Sequence, residues 1–320
     1  MPSPPVPEHK TSGGLRVLAA TDGSPAGNAA VAWAVSAFGR AAAAIRVVHV
    51  IEQRHPEQSA SDAVKTALRN LVTQAGGDAG QIEVVALPHA PVWESVRDNA
   101  ESFAADLLIL GARGHSPFEW MRLGTTTRRL IRTASCPVLT VPPGNAEDSK
   151  APMHGLVAVD FSEESSRAIS AAVRLLNATG RNGKLTLLHV CETPHMPYEG
   201  MGYGPVAAGE ELMRHRQIEA GHLLDGLAAE ASSETIAVTT QVKSGSAAEI
   251  ILEAASRMGC TFIATGTRGS SLVHRLFLGS VATHLLQAHS IPVLTTRDIQ
   301  HEQLVPLSAR VDAPPEGIAQ

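Results

Sequence analysis

Apolar residues recur along this chain in two alternating rhythms. Compact apolar runs of about 4–8 residues read as strands, and apolar positions three or four apart read as helices. In the first half the runs fall at 15–21, 45–51, 81–87, 106–110 and 137–141. Between them Val31, Ala34, Val35 and Phe38 mark one helical face, and Val64, Leu68, Leu71, Val72 and Ala75 a longer one. Val92, Val96, Ala100 and Phe103 mark a third, and 124–134 a fourth. Ser24 before Pro25 predicts a capped helix start. Gly76-Gly77 predicts a helix stop, and Pro137 suits an edge strand. The plan then restarts, with strands at 156–159, 185–191, 235–242, 261–265 and from 291 onward. Helices are predicted through Ile169, Val173 and Leu176, over about 208–230, from a Ser246 cap to Met258, and from Gly279 to about 289.

Strict alternation of strand and helix predicts an α/β fold, with a mostly parallel sheet covered on both faces. Five strands per half with right-handed crossovers allow a doubly wound sheet of order 3-2-1-4-5. Its ligand crevice then lies where the winding reverses, between the first and fourth strands. The predicted organisation is two tandem domains at 15–141 and 155–297. A Pro/Gly-rich linker at 142–154 joins them, and polar tails fill 1–14 and 298–320. Matching residues tie the halves together: Asp22 with Asp160, His49 with His189, Gly111 with Gly266, Pro137 with Pro292. The second copy is longer, and its extra residues fall at 192–209, which hold Tyr198 and Tyr203, the chain's two tyrosines. A disordered surface insertion and a lid over a ligand are both open readings of that stretch.

Composition narrows the partners. A length of 320 residues suits two domains, and a hydrophobic content of 44% suits real cores; with aromatics at 3%, Ala, Val, Leu and Ile must build them. Against 31 acidic residues stand 26 basic ones, a net charge of −5, which gives no electrostatic footing for nucleic acid or an anionic membrane. Cys136, Cys191 and Cys260 are too scattered for a disulfide framework or a zinc site, which fits a reducing cytoplasm. The Pro-rich start has no apolar signal segment, and no run approaches the ~20 residues of a spanning helix.

The candidate chemistry sits in two glycine loops. Gly266-Thr267-Arg268-Gly269 is followed, nine residues on, by Gly279-Ser280; Gly111-Ala112-Arg113-Gly114 is followed at the same spacing by Gly124-Thr125. Each loop leaves a predicted strand and ends at a predicted helix start. Glycines let backbone N–H groups approach an anion, and the helix N-terminus adds partial positive charge, so each loop is a candidate phosphate cradle.

The whole pattern resembles the universal stress protein family in a tandem two-domain form. The resemblance rests on Asp22-Gly23-Ser24 and Asp160-Phe161-Ser162, on His49-Val50 and His189-Val190, on both glycine loops, and on Cys136-Pro137-Val138-Leu139 with Ile291-Pro292-Val293-Leu294. In the family, the branch carrying this loop binds ATP, so the resemblance implies ATP, with Mg2+ arriving on its phosphates. It places Asp22 and Asp160 near the adenosine end and Val50 and Val190 against adenine through backbone. It gives ribose and phosphates to Gly111, Gly114, Gly124 and Thr125 in one copy, and to Gly266, Gly269, Gly279 and Ser280 in the other. Arg113 and Arg268 could pair with phosphate oxygens. The run 270–278 is closer to the family's usual loop than 115–123, which carries Pro117, Glu119 and Trp120. On that ground the second site is the better candidate. The family's domains commonly pair through their last strands, so internal pairing of 137–141 with 292–296 and homo-oligomerisation of chains are further expectations.

Other chemistry is missing. No G-x-x-x-x-G-K-S/T loop occurs, neither glycine loop holds a lysine, and the histidines show no H-E-x-x-H spacing. His49 and His189 read as hydrogen-bonded structural residues. The expected function is therefore ATP binding in a cytoplasmic stress or regulatory role, with slow or no hydrolysis. An ATP-dependent ligase or adenylyl transferase, and a nucleotide-free interaction module, are the alternatives.

Overall fold

Each strand grows from one of the apolar runs. The structure is a computed structural model that describes residues 14–39, 44–51, 58–88, 90–114, 123–145, 151–192, 204–268, 278–288 and 290–297, with backbone only at 58 and 204–210. The first half runs β1 (Arg16–Ala20), α1 (Pro25–Phe38), β2 (Ala44–Val50), α2 (Gln58–Gln74), β3 (Glu83–Leu87), α3 (Val92–Ser102), β4 (Leu107–Gly111), α4 (Thr125–Thr133) and β5 (Val138–Val141). The second runs β6 (Met153–Ala158), α5 (Glu163–Ala178), β7 (Gly183–Cys191), α6 (Gly204–Ala231), β8 (Ile236–Ser244), α7 (Ala247–Arg257), β9 (Phe262–Gly266), α8 (Ser280–Ala288) and β10 (Val293–Thr296).

The strands form one ten-stranded sheet of order β3-β2-β1-β4-β5-β10-β9-β6-β7-β8. Each half has the 3-2-1-4-5 order and is parallel throughout. Helices α1, α2, α5 and α6 pack on one face, where Trp33, Phe38, Leu176 and Leu224 are fully buried. Helices α3, α4, α7 and α8 pack on the other, with Val96, Leu130, Ile251 and Leu285. The switch of face between α2 and α3 is the reversal of winding, and it leaves β1 and β4 as neighbours whose connections depart in opposite directions.

The halves meet where β5 pairs antiparallel with β10, with Leu139 opposite Leu294. Both leucines are fully buried. Thr140 Oγ1 donates to the Val293 carbonyl (3.2 Å) and Thr295 Oγ1 to the Val138 carbonyl (3.1 Å), stitching the seam with side chains as well as backbone. Arg174 Nη2 reaches Asp106 Oδ1 at 2.7 Å and Arg297 Nε donates to the Ala134 carbonyl at 2.9 Å, tying α5 to the turn before β4 and the end of β10 to the end of α4 across the seam. The edge expected at Pro137 is thus an interior position of the joint sheet. Pro137 precedes β5 and offers its carbonyl to Leu108 N (3.0 Å), so the missing N–H breaks no rung there. Because the seam is antiparallel, the carboxyl rims of the two halves lie at opposite ends of the sheet.

Local signals account for the helix starts. Ser24 is fully buried and accepts from Gly27 N at 3.1 Å with Pro25 next, and Ser162 accepts from Ser165 N at 3.2 Å. Ser246 occupies the cap position of α7 without a side-chain bond, unlike the expectation. The tyrosine-bearing stretch, with Tyr198 and Tyr203, lies outside the described residues. No helix among the described residues is long and apolar enough to cross a membrane.

Burial also sets the thiols. Desolvation, reinforced by the nearby Asp106 charge, pushes Cys136 up to about 12, and desolvation pushes Cys260 up to about 11. The thiolate is the reactive form. At pH 8 the folded protein should therefore resist iodoacetamide at both positions, and urea should release labelling; fast alkylation of native Cys136 would contradict its burial. The unfolded thiol ionises at its ordinary 9.0, below the folded value, so stability held at neutral pH should decline as pH rises from about 9 toward 12.

Candidate functional site

In the first half, β1 ends at Ala20 and residues 21–24 turn into α1. Gly23 takes a φ of 84°, a left-handed value that suits glycine. Asp22 Oδ1 accepts from Ser24 N at 2.9 Å, which fixes its carboxylate at the end of the crevice. His49 Nδ1 lies 2.9 Å from the Thr21 carbonyl. A carbonyl only accepts, so Nδ1 carries a proton there. Across the crevice, Thr127 Oγ1 donates to the Gly111 carbonyl (2.9 Å) and Gly124 N to the Ala112 carbonyl (3.1 Å), closing the glycine loop on itself. The first bond of α4 runs from Arg128 N to the Gly124 carbonyl at 2.9 Å. The amides of Thr125, Thr126 and Thr127 therefore precede any intrahelical acceptor, and Gly124 has no side chain to cap them.

These elements enclose a cavity of about 760 Å³ lined by Asp22, Val50, Gly111, Arg113, Gly114, Gly124 and Thr125, all seven residues singled out in the first copy. Thr126, Thr127 and His49 extend its polar wall, while Val48, Val64, Val92 and Val96 make the other wall apolar. Ligand pockets span about 300–1,000 Å³ with this mixed lining. Val48 gives its carbonyl to Thr21 N (3.0 Å) on the β1 side, and Ile51 N reaches the Leu87 carbonyl (2.9 Å) on the β3 side. Backbone groups alternate sides along a strand, so Val50 turns its N–H and C=O toward the β1 side, past the point where β1 pairing ends at Ala20.

The second copy uses the same frame with different fillings. His189 Nδ1 meets the Val159 carbonyl at 2.7 Å, and Asp160 Oδ1 accepts from Ser162 N at 3.1 Å. Gly279 N donates to the Thr267 carbonyl at 2.8 Å, and Ser280 opens α8. Val190 lies half-buried near the end of β7. Gly269 lies outside the described residues, as do 115–122 and the rest of 269–277 of the two loops. Where the first copy has Ala26, the second has Glu164. Its carboxylate accepts from Arg268 N at 2.6 Å and from Arg268 Nε at 2.8 Å, with Thr267 Oγ1 3.3 Å away. The Glu164 side chain is only 11% exposed. Phe161 stands where the first copy has Gly23, holds a φ of 61°, and lays its ring 4.6 Å from that of His189.

Residues 15–142 and 153–297 each match the Universal stress protein family. The chain belongs to that family. It is 30% identical over 145 residues to universal stress protein YxiE of Bacillus subtilis, a match spanning 44% of this chain and 97% of that one. Its fold is similar to a universal stress protein from Archaeoglobus fulgidus (TM-score 0.58, 20% identity, 88% of this chain and 98% of that one). A putative universal stress protein from Pseudomonas aeruginosa gives TM-score 0.58 at 16% identity, covering 89% of this chain and 93% of that one.

Within this universal stress protein, glycine-loop reasoning missed Glu164, Gly27 and the apolar wall. The signal for Glu164 was present: Glu163-Glu164 replaces Pro25-Ala26 in the first helical turn. Gly27 lines the cavity, and a Cβ there would stand 2.7 Å from Thr21 Oγ1 and 2.8 Å from Asp22 Oδ1. Among the described residues no cluster of three or more His, Cys, Asp or Glu side chains could hold a metal ion.

Proposed function

We propose that the first domain binds an adenine nucleotide, ATP with Mg2+ on its phosphates, and that occupancy rather than turnover is its output. The carrying observation is the single cavity onto which Asp22, the Val50 backbone, the glycine loop and the start of α4 all converge. The amides of Thr125, Thr126 and Thr127 and the guanidinium of Arg113 would hold phosphate oxygens, in a helix-start cradle that needs no lysine. Val50 would offer adenine a backbone donor and acceptor between apolar walls formed by Val64, Val92 and Val96. Asp22 would meet ribose hydroxyls. Mg2+ favours phosphate oxygens and water over an all-protein cage, which suits a site without a carboxylate cluster.

The loop 111–125 carries no lysine to stabilise a transferring γ-phosphate, so slow or no hydrolysis is proposed. Binding to the folded form alone stabilises it by about 2.7 kcal/mol at a hundredfold excess over Kd. In a cytoplasmic stress or regulatory role, this would couple nucleotide level to assembly with a second copy or another partner. Calorimetric titration of the whole chain should give one ATP per chain, with adenosine much weaker because it leaves the cradle empty. No binding of ATP, ADP or AMP would overturn the reading.

A further inference from the structure

We infer that Glu164 is the internal ligand of the second cradle, and that its carboxylate excludes nucleotide phosphate from the second domain. The inference shares one premise with the proposed function, that this loop frame can hold phosphate, and the experiment below separates the two.

The equivalence of positions is geometric. A Cβ built on Gly111 would fall 2.7 Å from the Ala26 carbonyl carbon, and one built on Gly266 would fall 2.8 Å from Glu164 Cβ. Residues 26 and 164 thus abut the same glycine of the two loops. In the first copy a methyl group stands there, and the crevice beyond it is open. In the second, a side chain longer by one methylene and a carboxylate reaches the loop. Its oxygens meet the backbone N–H and guanidinium of Arg268, the loop arginine equivalent to Arg113. An anion-binding loop presents backbone amides and a guanidinium to a pair of oxygens. Glu164 supplies such a pair from within the chain. Its backbone is also held, because Thr296 Oγ1 donates to the Glu164 carbonyl at 3.1 Å. A phosphate entering here would displace a charge-assisted bond and meet a second negative charge. Glu163 and Glu164 place two acids in the first turn of α5, where α1 has none.

The test uses the full chain carrying Gly124→Asp, which disables the first cradle, with and without Glu164→Ala. Alanine is the residue the first copy carries, so the backbone accommodates it. Thermal unfolding checks that each variant is folded, and calorimetry with MgATP reads binding. Gly124→Asp alone should bind no ATP; adding Glu164→Ala should create one site per chain, at least tenfold tighter than any residual binding. Glu164→Gln, which keeps the shape and removes the charge, should also gain at least tenfold and serves if the alanine variant does not fold. A folded Glu164 variant that gains nothing overturns the inference, as does wild-type protein binding two ATP. A wild type that binds none while the double variant binds one would sink the first-domain reading and leave the role of Glu164 standing.

Discussion

Gly124→Asp should lower ATP affinity at least a hundredfold and leave thermal stability unchanged or slightly raised. Gly124 sits at φ −55° and ψ 144°, a conformation open to any residue. A Cβ there would come no closer than 3.5 Å, to Thr127 Oγ1, with the Ala112 carbonyl at 3.7 Å. The added carboxylate therefore fits. It also stands at the cap of α4, where Asp is among the preferred residues and differs from Gly by only a few tenths of a kcal/mol. Its oxygens would take the amides proposed for phosphate and bring a negative charge among the phosphates. Two like charges about 4 Å apart near a protein surface repel by about 4 kcal/mol, or about a thousandfold in affinity. Calorimetry and a melting curve on the same sample read both halves of the prediction. Unchanged affinity in a folded variant would remove the cradle from the site. Gly279→Asp is the matched control, since its Cβ would stand 3.5 Å from the Thr267 carbonyl. With Glu164 already in that cradle, Gly279→Asp should leave ATP stoichiometry and affinity as they are.

The sheet order and the face each helix covers were legible because they follow from local rhythm and handedness. Apolar runs became strands within one or two residues of their expected limits, except that β6 starts at Met153, three residues early and inside the expected linker; Phe38, Leu68, Val96 and Leu130 point inward as their spacing required. Pro137 reads as an edge within one domain, while the pairing of 137–141 with 292–296 that the family resemblance implied is present and makes it interior to the joint sheet. The relative merit of the two loops was not legible in the loops themselves. A comparison of 115–123 with 270–278 favours the second copy, whereas the residue proposed to separate the two cradles belongs to the first turn of α5. Glu164 and Arg268 are far apart in sequence and meet because winding reverses at β6 and β9, bringing one strand's exit helix onto the other's loop. A pattern read along the chain does not price such a contact. It emerges when the two copies are aligned by structure, with Ala26 over Glu164.

The same juxtaposition in the first copy makes Gly111→Ala the most damaging small substitution proposed for this site. A Cβ on Gly111 would stand 2.6 Å from Gly27 N, 2.7 Å from the Ala26 carbonyl carbon and 3.0 Å from the Ala26 carbonyl oxygen. All three are backbone atoms in the first turn of α1, so no side chain can rotate away. Either the end of β4 or the start of α1 must move, and overpacking of this kind costs about 1–3 kcal/mol. With about 2–4 °C lost per kcal/mol in a domain of 150–250 residues, the midpoint should fall by several degrees. Binding should weaken with it, because α1 carries the turn that fixes Asp22, and a displaced helix widens the gap between Asp22 and the glycine loop. Gly266→Ala provides the comparison: its nearest contact, at 2.8 Å, is the Glu164 side chain, with the Arg268 carbonyl oxygen at 3.0 Å. A Cβ moves only with its own backbone, and the Glu164 carbonyl carbon also stands 3.3 Å away, so the loss of stability there should be similar, with ATP affinity untouched. Equal loss of ATP affinity in both would mean that the nucleotide is not confined to the first cradle; a stable Gly111→Ala with full affinity would show that β4 and α1 have more room than their backbones leave.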